Sequence, residues 1–181
     1  MQRLPKLDPG TLAGRKREVY NTIAGGPRGG VRGPFVALLQ CPDIADYVQG
    51  LGAHLRFEGA LPGPLRELAI LMTARFWTAA YEWCAHVTIA EKEGLAPEVI
   101  TAIGDKKTPK FQSAKEKAVY DFCREALEQR RVGDDTFAVV VDALGRAGAA
   151  ELAAVMGYYS LISMVLNTFK IVPPEGAEPP F

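Results

Sequence analysis

Glu82-Trp83-Cys84-Ala85-His86, closed eight residues after the histidine by Gly94-Leu95, is the stretch whose reading decides the fold. It lies in a run of helical periodicity. Residues i and i+4 are neighbours on one helix face, so Glu82 and His86 stack there. Gly94 stands where a helix commonly ends in a left-handed residue. His86 is one of only two histidines in 181 residues. A carboxylate beside an imidazole is the smallest unit that moves protons near neutral pH. The competing reading is a buried, mutually satisfied polar pair.

The helical pattern extends in both directions. Upstream, helices are expected over residues 11–24 with Thr11 as N-cap, over a short turn at 35–39, over 43–56 after Pro42, and over 64–76. Thr78 is placed to cap the helix over 79–93. Downstream, helices are expected over 97–103, 113–129, 134–144 and 147–169. The last is apolar nearly all round, which demands burial, and in a chain this small burial points to another subunit. No alternating strand pattern or internal repeat is present. The expected fold is all-α, one domain spanning 1–181, with extended tails at 1–10 and 173–181.

Composition narrows the function classes. Hydrophobic residues make up 48% and charged residues 23%, as in ordinary globular proteins. Lys plus Arg and Asp plus Glu are 21 each. Zero net charge argues against a nucleic-acid surface and favours self-association. No 18-residue apolar run free of polar breaks suggests a membrane span, and residues 1–9 lack the apolar core of a signal peptide. Cys41, Cys84 and Cys123 form no C-x-x-C motif; free thiols suggest a reducing, cytoplasmic setting. No metal-ligand spacing and no phosphate loop are written in the chain, so no cofactor is expected.

Residues 66–95 resemble the carboxymuconolactone decarboxylase and alkylhydroperoxidase-D-like family. The matching residues are Arg66-Glu67-Leu68-Ala69-Ile70-Leu71, Glu82-Trp83, His86 and Gly94-Leu95. In the redox branch of that family a glutamate precedes a C-x-x-C pair by twelve residues, and a histidine follows the second cysteine by four. Counted from His86, those positions hold Glu67, Ala79 and Glu82. The glutamate and histidine persist, and both redox cysteines are absent. The pattern is similar to the decarboxylase branch. That resemblance implies a helical-bundle fold, a trimer or hexamer, and loss of carbon dioxide from a carboxylated lactone in aromatic-compound breakdown.

The candidate catalytic residues are therefore His86 for proton transfer, with Glu82 and Glu67 setting its tautomer and pKa. Arg32, in the glycine- and arginine-rich loop, is the candidate for holding a substrate anion. Trp83 and Phe35 are candidates for a dry pocket wall. Cys84 carries the alternative, a peroxidase-like thiol chemistry, although no adjacent cation is evident to stabilise a thiolate. A non-catalytic ligand-binding protein is the third possibility. His54, four residues before Glu58, reads as structural or exposed.

Overall fold

A computed structural model describes residues 3–181, and these are helical with no strand. Of the tail expected over 1–10, Met1 and Gln2 lie outside the described residues. The chain forms two compact units: residues up to Gly59 with Val165–Val172, and Ala60–Met164 with Pro173–Phe181.

The second unit is organised around α4 (Gly63–Phe76). Every residue of α4 from Leu65 to Ala74 is buried, including Arg66 and Glu67. A helix enclosed on all sides is central, and α5 (Ala80–Lys92), α6 (Pro97–Gly104) and α7 (Ala114–Glu128) pack on it. Helix α5 buries Glu82, Trp83, His86 and Ala90, one face at helical spacing. It ends at Gly94, whose φ is 94°, with Leu95 N–H donating to Ala90 C=O at 2.9 Å and Gly94 N–H donating to Glu91 C=O at 3.1 Å. This is the paired closure that a C′ glycine permits, and it explains the Gly94-Leu95 dipeptide.

The same closure corrects one expectation. Thr78 does not cap α5; the N-cap is Ala79, without a side-chain bond. Thr78 instead closes α4, with φ 51°, donating to Arg75 C=O at 3.2 Å while Ala79 N–H donates to Ala74 C=O at 2.9 Å. Two backbone bonds at the end of α4 outweigh one side-chain cap at the start of α5. They hold a β-branched residue in a conformation that costs about 1–2 kcal/mol.

Helix α7 begins as expected, with Ser113 Oγ accepting from Glu116 N–H at 3.2 Å. The two helices expected over 134–144 and 147–169 are present, separated at Gly145 (φ 73°, ψ 170°), and are labelled together as α8 (Asp134–Phe169). By length and composition alone α8 could cross a membrane, but half of its apolar window is already buried, as in a core helix. Leu152, Val155, Tyr159, Ile162 and Leu166 face inward, while Leu161 and Met164 are 39% and 52% exposed.

In the first unit, α1 (Gly14–Gly25) and α2 (Pro34–Leu38) pack on α3 (Pro42–Ala53), which runs into a π-turn at His54–Glu58. Val19, Ile23, Phe35 and Leu39 form its core. Arg15 joins α1 to α3 through Asp43 at 3.0 Å and Asp46 at 2.5 Å. Thr11 is not the N-cap of α1. It belongs to a 3-10 turn, Pro9–Thr11, capped by Asp8, and α1 starts at Gly14 behind Ala13.

Candidate functional site

Glu67, on α4, and Glu82 and His86, on α5, meet inside the second unit. They are 1%, 5% and 3% exposed. His86 Nδ1 lies 2.6 Å from Glu67 Oε2, and His86 Nε2 lies 3.0 Å from Glu82 Oε1. The i,i+4 spacing supplies the second contact, and the packing of α5 on α4 supplies the first. With a carboxylate on each ring nitrogen, both nitrogens donate. The ring is then held as imidazolium, so the carboxylates fix its charge where a choice between neutral tautomers was expected.

Burial alone would push the His86 pKa down. The hydrogen bonds from Glu67 and Glu82, and then their negative charge, outweigh that cost and raise it from 6.5 to about 9. At neutral pH the site stores a proton.

The polar cluster is longer than the sequence suggested. Glu67 Oε1 lies 3.4 Å from Arg66 Nε, and Arg66 Nη2 lies 3.6 Å from Glu93 Oε1. Signs alternate along the series Glu82, His86, Glu67, Arg66, Glu93, which offsets part of the desolvation cost of burying charge. Glu93 lies beside the first residue of α4. A Cβ on Gly63 would overlap its carboxylate as it is now placed, so any larger residue there would displace the Glu93 side chain. An acid at that helix end also meets the positive end of the dipole. The edge of the Tyr159 ring packs against His86, with centroids 5.1 Å apart and planes at 85°. Arg66, Glu93 and Tyr159 were not singled out from sequence. Arg66 adjoins Glu67 and was visible there; Glu93 and Tyr159 join the site only through tertiary packing.

The other sequence candidates fall elsewhere. Trp83 is buried and meets Phe181 edge-on at 5.7 Å, so the tail expected as extended over 173–181 ends docked on α5. Arg32 and Phe35 belong to the first unit. Arg32 Nη2 donates to Arg28 C=O at 2.7 Å, and the Arg28 guanidinium lies 4.7 Å over the Phe35 ring, so the loop is folded on its own residues. His54 pairs with Glu58 at 3.3 Å, both well exposed. Cys84 is half-buried, and burial pushes its thiol pKa up. Cys123 is fully buried, and its thiol is pushed up further for the same reason. Neither shift favours a thiolate.

This helical arrangement is the alkylhydroperoxidase-D core fold. No family model and no curated protein matches the sequence. Solved structures do match. An uncharacterised peroxidase-related protein from Ralstonia eutropha JMP134, described as an alkylhydroperoxidase AhpD core, superposes with a TM-score of 0.78 at 19% identity, covering 96% of this chain and 93% of that one. An uncharacterised peroxidase-related protein from Silicibacter sp. TM1040 gives 0.76 at 13% identity, covering 97% and 93%. A protein of unknown function from Agrobacterium tumefaciens, named for antioxidant defence of the AhpD kind, gives 0.67 at 15% identity, covering 76% and 94%. At these identities the likeness concerns the fold.

Proposed function

We propose that this chain is an acid–base enzyme of the decarboxylase type, acting on a small cyclic carboxylic acid or lactone of aromatic-compound breakdown. The observation that carries this is the His86 imidazolium held between Glu67 and Glu82 with its pKa near 9. In the reaction the bond from the ring carbon to the carboxylate breaks and carbon dioxide leaves. The electron pair stays on the ring carbon, delocalised into the adjacent carbonyl, and His86 delivers its proton there. The delivered proton is the one on Nε2, which leaves the longer contact to Glu82, while Glu67 keeps accepting from Nδ1 and holds the ring in place. The cluster is enclosed, so this chemistry requires an opening that admits substrate. It also supplies the dry surroundings in which a carboxylate leaves most readily. The enzyme is proposed to work in the cytoplasm as a homo-oligomer, either a trimer or a hexamer.

The peroxidase names of the similar structures favour a second reading, thiol chemistry at Cys84. Against it stand Ala79 and Glu82 at the two positions where the redox pattern needs cysteines, and the raised pKa of Cys84. The deciding experiment measures decarboxylation of 4-carboxymuconolactone by ultraviolet absorbance. Turnover should fall by roughly 100-fold or more in His86→Ala, the usual contribution of a general acid. It should survive Cys84→Ser. No turnover by the wild type, or turnover indifferent to His86→Ala, rejects the assignment. Hydroperoxide reduction lost in Cys84→Ser would establish the second reading instead.

A further inference from the structure

A second feature of the Ala60–Met164 unit is absorbed by neither reading. A cleft of about 300 Å³ opens between α4, α6 and α7 and includes none of Glu67, Glu82 or His86 among its walls. That volume is at the lower end of the range for small-molecule sites. Four cations line it, Arg75, Lys106, Lys107 and Arg124, with one acid, Glu128, and Lys107 is itself paired with Asp105 at 2.9 Å. In a chain with equal numbers of positive and negative side chains, the wall of this cleft carries more cations than acids. The floor is different in character: Met72 and Ile103 are buried, and Tyr120 offers an aromatic wall.

The cations are positioned for an incoming anion. Arg75 is fixed, its Nε donating to Gly104 C=O at 2.7 Å and its guanidinium lying 4.3 Å over the Phe181 ring. Arg124 is only loosely held, 3.9 Å from both Asp121 and Glu128. Lys106 makes no ion pair among the described residues. Its backbone is also the unusual one, with φ 57°, closing α6 through Lys106 N–H to Ile103 C=O at 3.0 Å and Lys107 N–H to Ala102 C=O at 2.8 Å. That closure is built for glycine. A lysine there keeps a backbone cost and places a cation at the cleft.

We propose that this cleft is a binding site for a small amphipathic carboxylate, with the ring or short chain on the Met72–Ile103 floor and the carboxylate between Lys106 and Arg124. The proposal is independent of the decarboxylase chemistry at His86. Phenylacetate is a suitable probe, with phenylacetamide as its uncharged counterpart and acetate as the bare anion, each titrated by calorimetry into the full chain. One phenylacetate should bind per chain, with both controls about tenfold weaker or more, as expected when a charge-assisted hydrogen bond or the apolar contact is removed. Arg124→Gln should weaken phenylacetate by about tenfold. Lys106→Gly should weaken it as well while leaving the melting temperature unchanged or higher, which separates a binding role from a structural one. The proposal is overturned by equal binding of phenylacetamide, by absence of saturable binding at millimolar phenylacetate, or by affinity unaffected in both variants. Loss of binding in His86→Gln alone would move the ligand to the buried cluster and overturn it too.

Discussion

The proton stored on His86 has a thermodynamic consequence that can be measured without substrate. Its pKa is raised from 6.5 to about 9 on folding, so the folded state holds this proton more tightly by about 3 kcal/mol. The sign follows from which state loses the proton first. Below pH 6.5 both states are protonated and the full stabilisation is present. As pH rises from 6.5 toward 9 the unfolded chain gives up the proton while the folded chain keeps it, so stability declines. The slope approaches about 1.4 kcal/mol per pH unit, the value for a difference of one proton. Cys84 and Cys123, raised from 9.0 by burial, act in the same direction but only above about pH 8.5. The interval from pH 7 to 8.5 therefore isolates His86, with an expected loss of about 2 kcal/mol. Urea unfolding across that interval reads the loss directly, and the ring resonances of His86 read the pKa, with exposed His54 as the only other imidazole signal. Stability that stays flat from pH 7 to 8.5, or a His86 resonance titrating near 6.5, would refute the charged-ring description.

Three further outcomes are expected. Glu67→Gln removes one of two carboxylates from a buried cation and leaves Arg66 with Glu93 as its remaining ion pair, so it should destabilise by about 3–5 kcal/mol in urea titration and lower the His86 pKa; a change under about 1 kcal/mol would contradict the buried pairing. Thr78→Gly relieves a β-branched residue at positive φ and should stabilise by about 1 kcal/mol, raising the melting temperature; a lower melting temperature would show that the Thr78 side chain earns its place by contacts. Leu161→Glu with Met164→Lys places charges on the open apolar face of α8 and should dissociate the proposed homo-oligomer in sedimentation velocity, and a monomeric wild type would end that proposal.

The helical architecture was legible because its signals are local. Apolar spacing over residues 64–76 and 79–93, the glycine at 94 and the serine at 113 each announce themselves within one or two turns of chain. The Glu82–His86 contact was legible for the same reason, since i and i+4 are neighbours on any helix. Glu67 is different. It is nineteen residues from His86, and only the resemblance to a known motif pointed to it. Tyr159 and Glu93 reach the cluster through packing that no short-range pattern encodes. Thr78 misled because a threonine before a helix is a common cap, and the bonds that overrode it belong to the preceding helix. Arg32 and Phe35 are chemically suited to binding an anion and walling a pocket. Their contacts in this structure, however, are with Arg28, within the other unit.

Position 82 shows what the buried histidine asks of the residue that faces it. The Nε2 side of His86 favours a negative partner, because the ring is buried there and its charge is costly without one. Here a carboxylate meets that demand. In the redox pattern that the chain resembles, the same position holds a thiol. A thiol facing such a ring ionises readily, so the histidine that binds a carboxylate in this chain would there generate a nucleophile. The scaffold thus specifies an anion at position 82 and leaves its identity open. Passing from the proposed proton transfer to thiol chemistry would exchange one anionic side chain for another at that point, and would complete only with a second sulfur where Ala79 now stands.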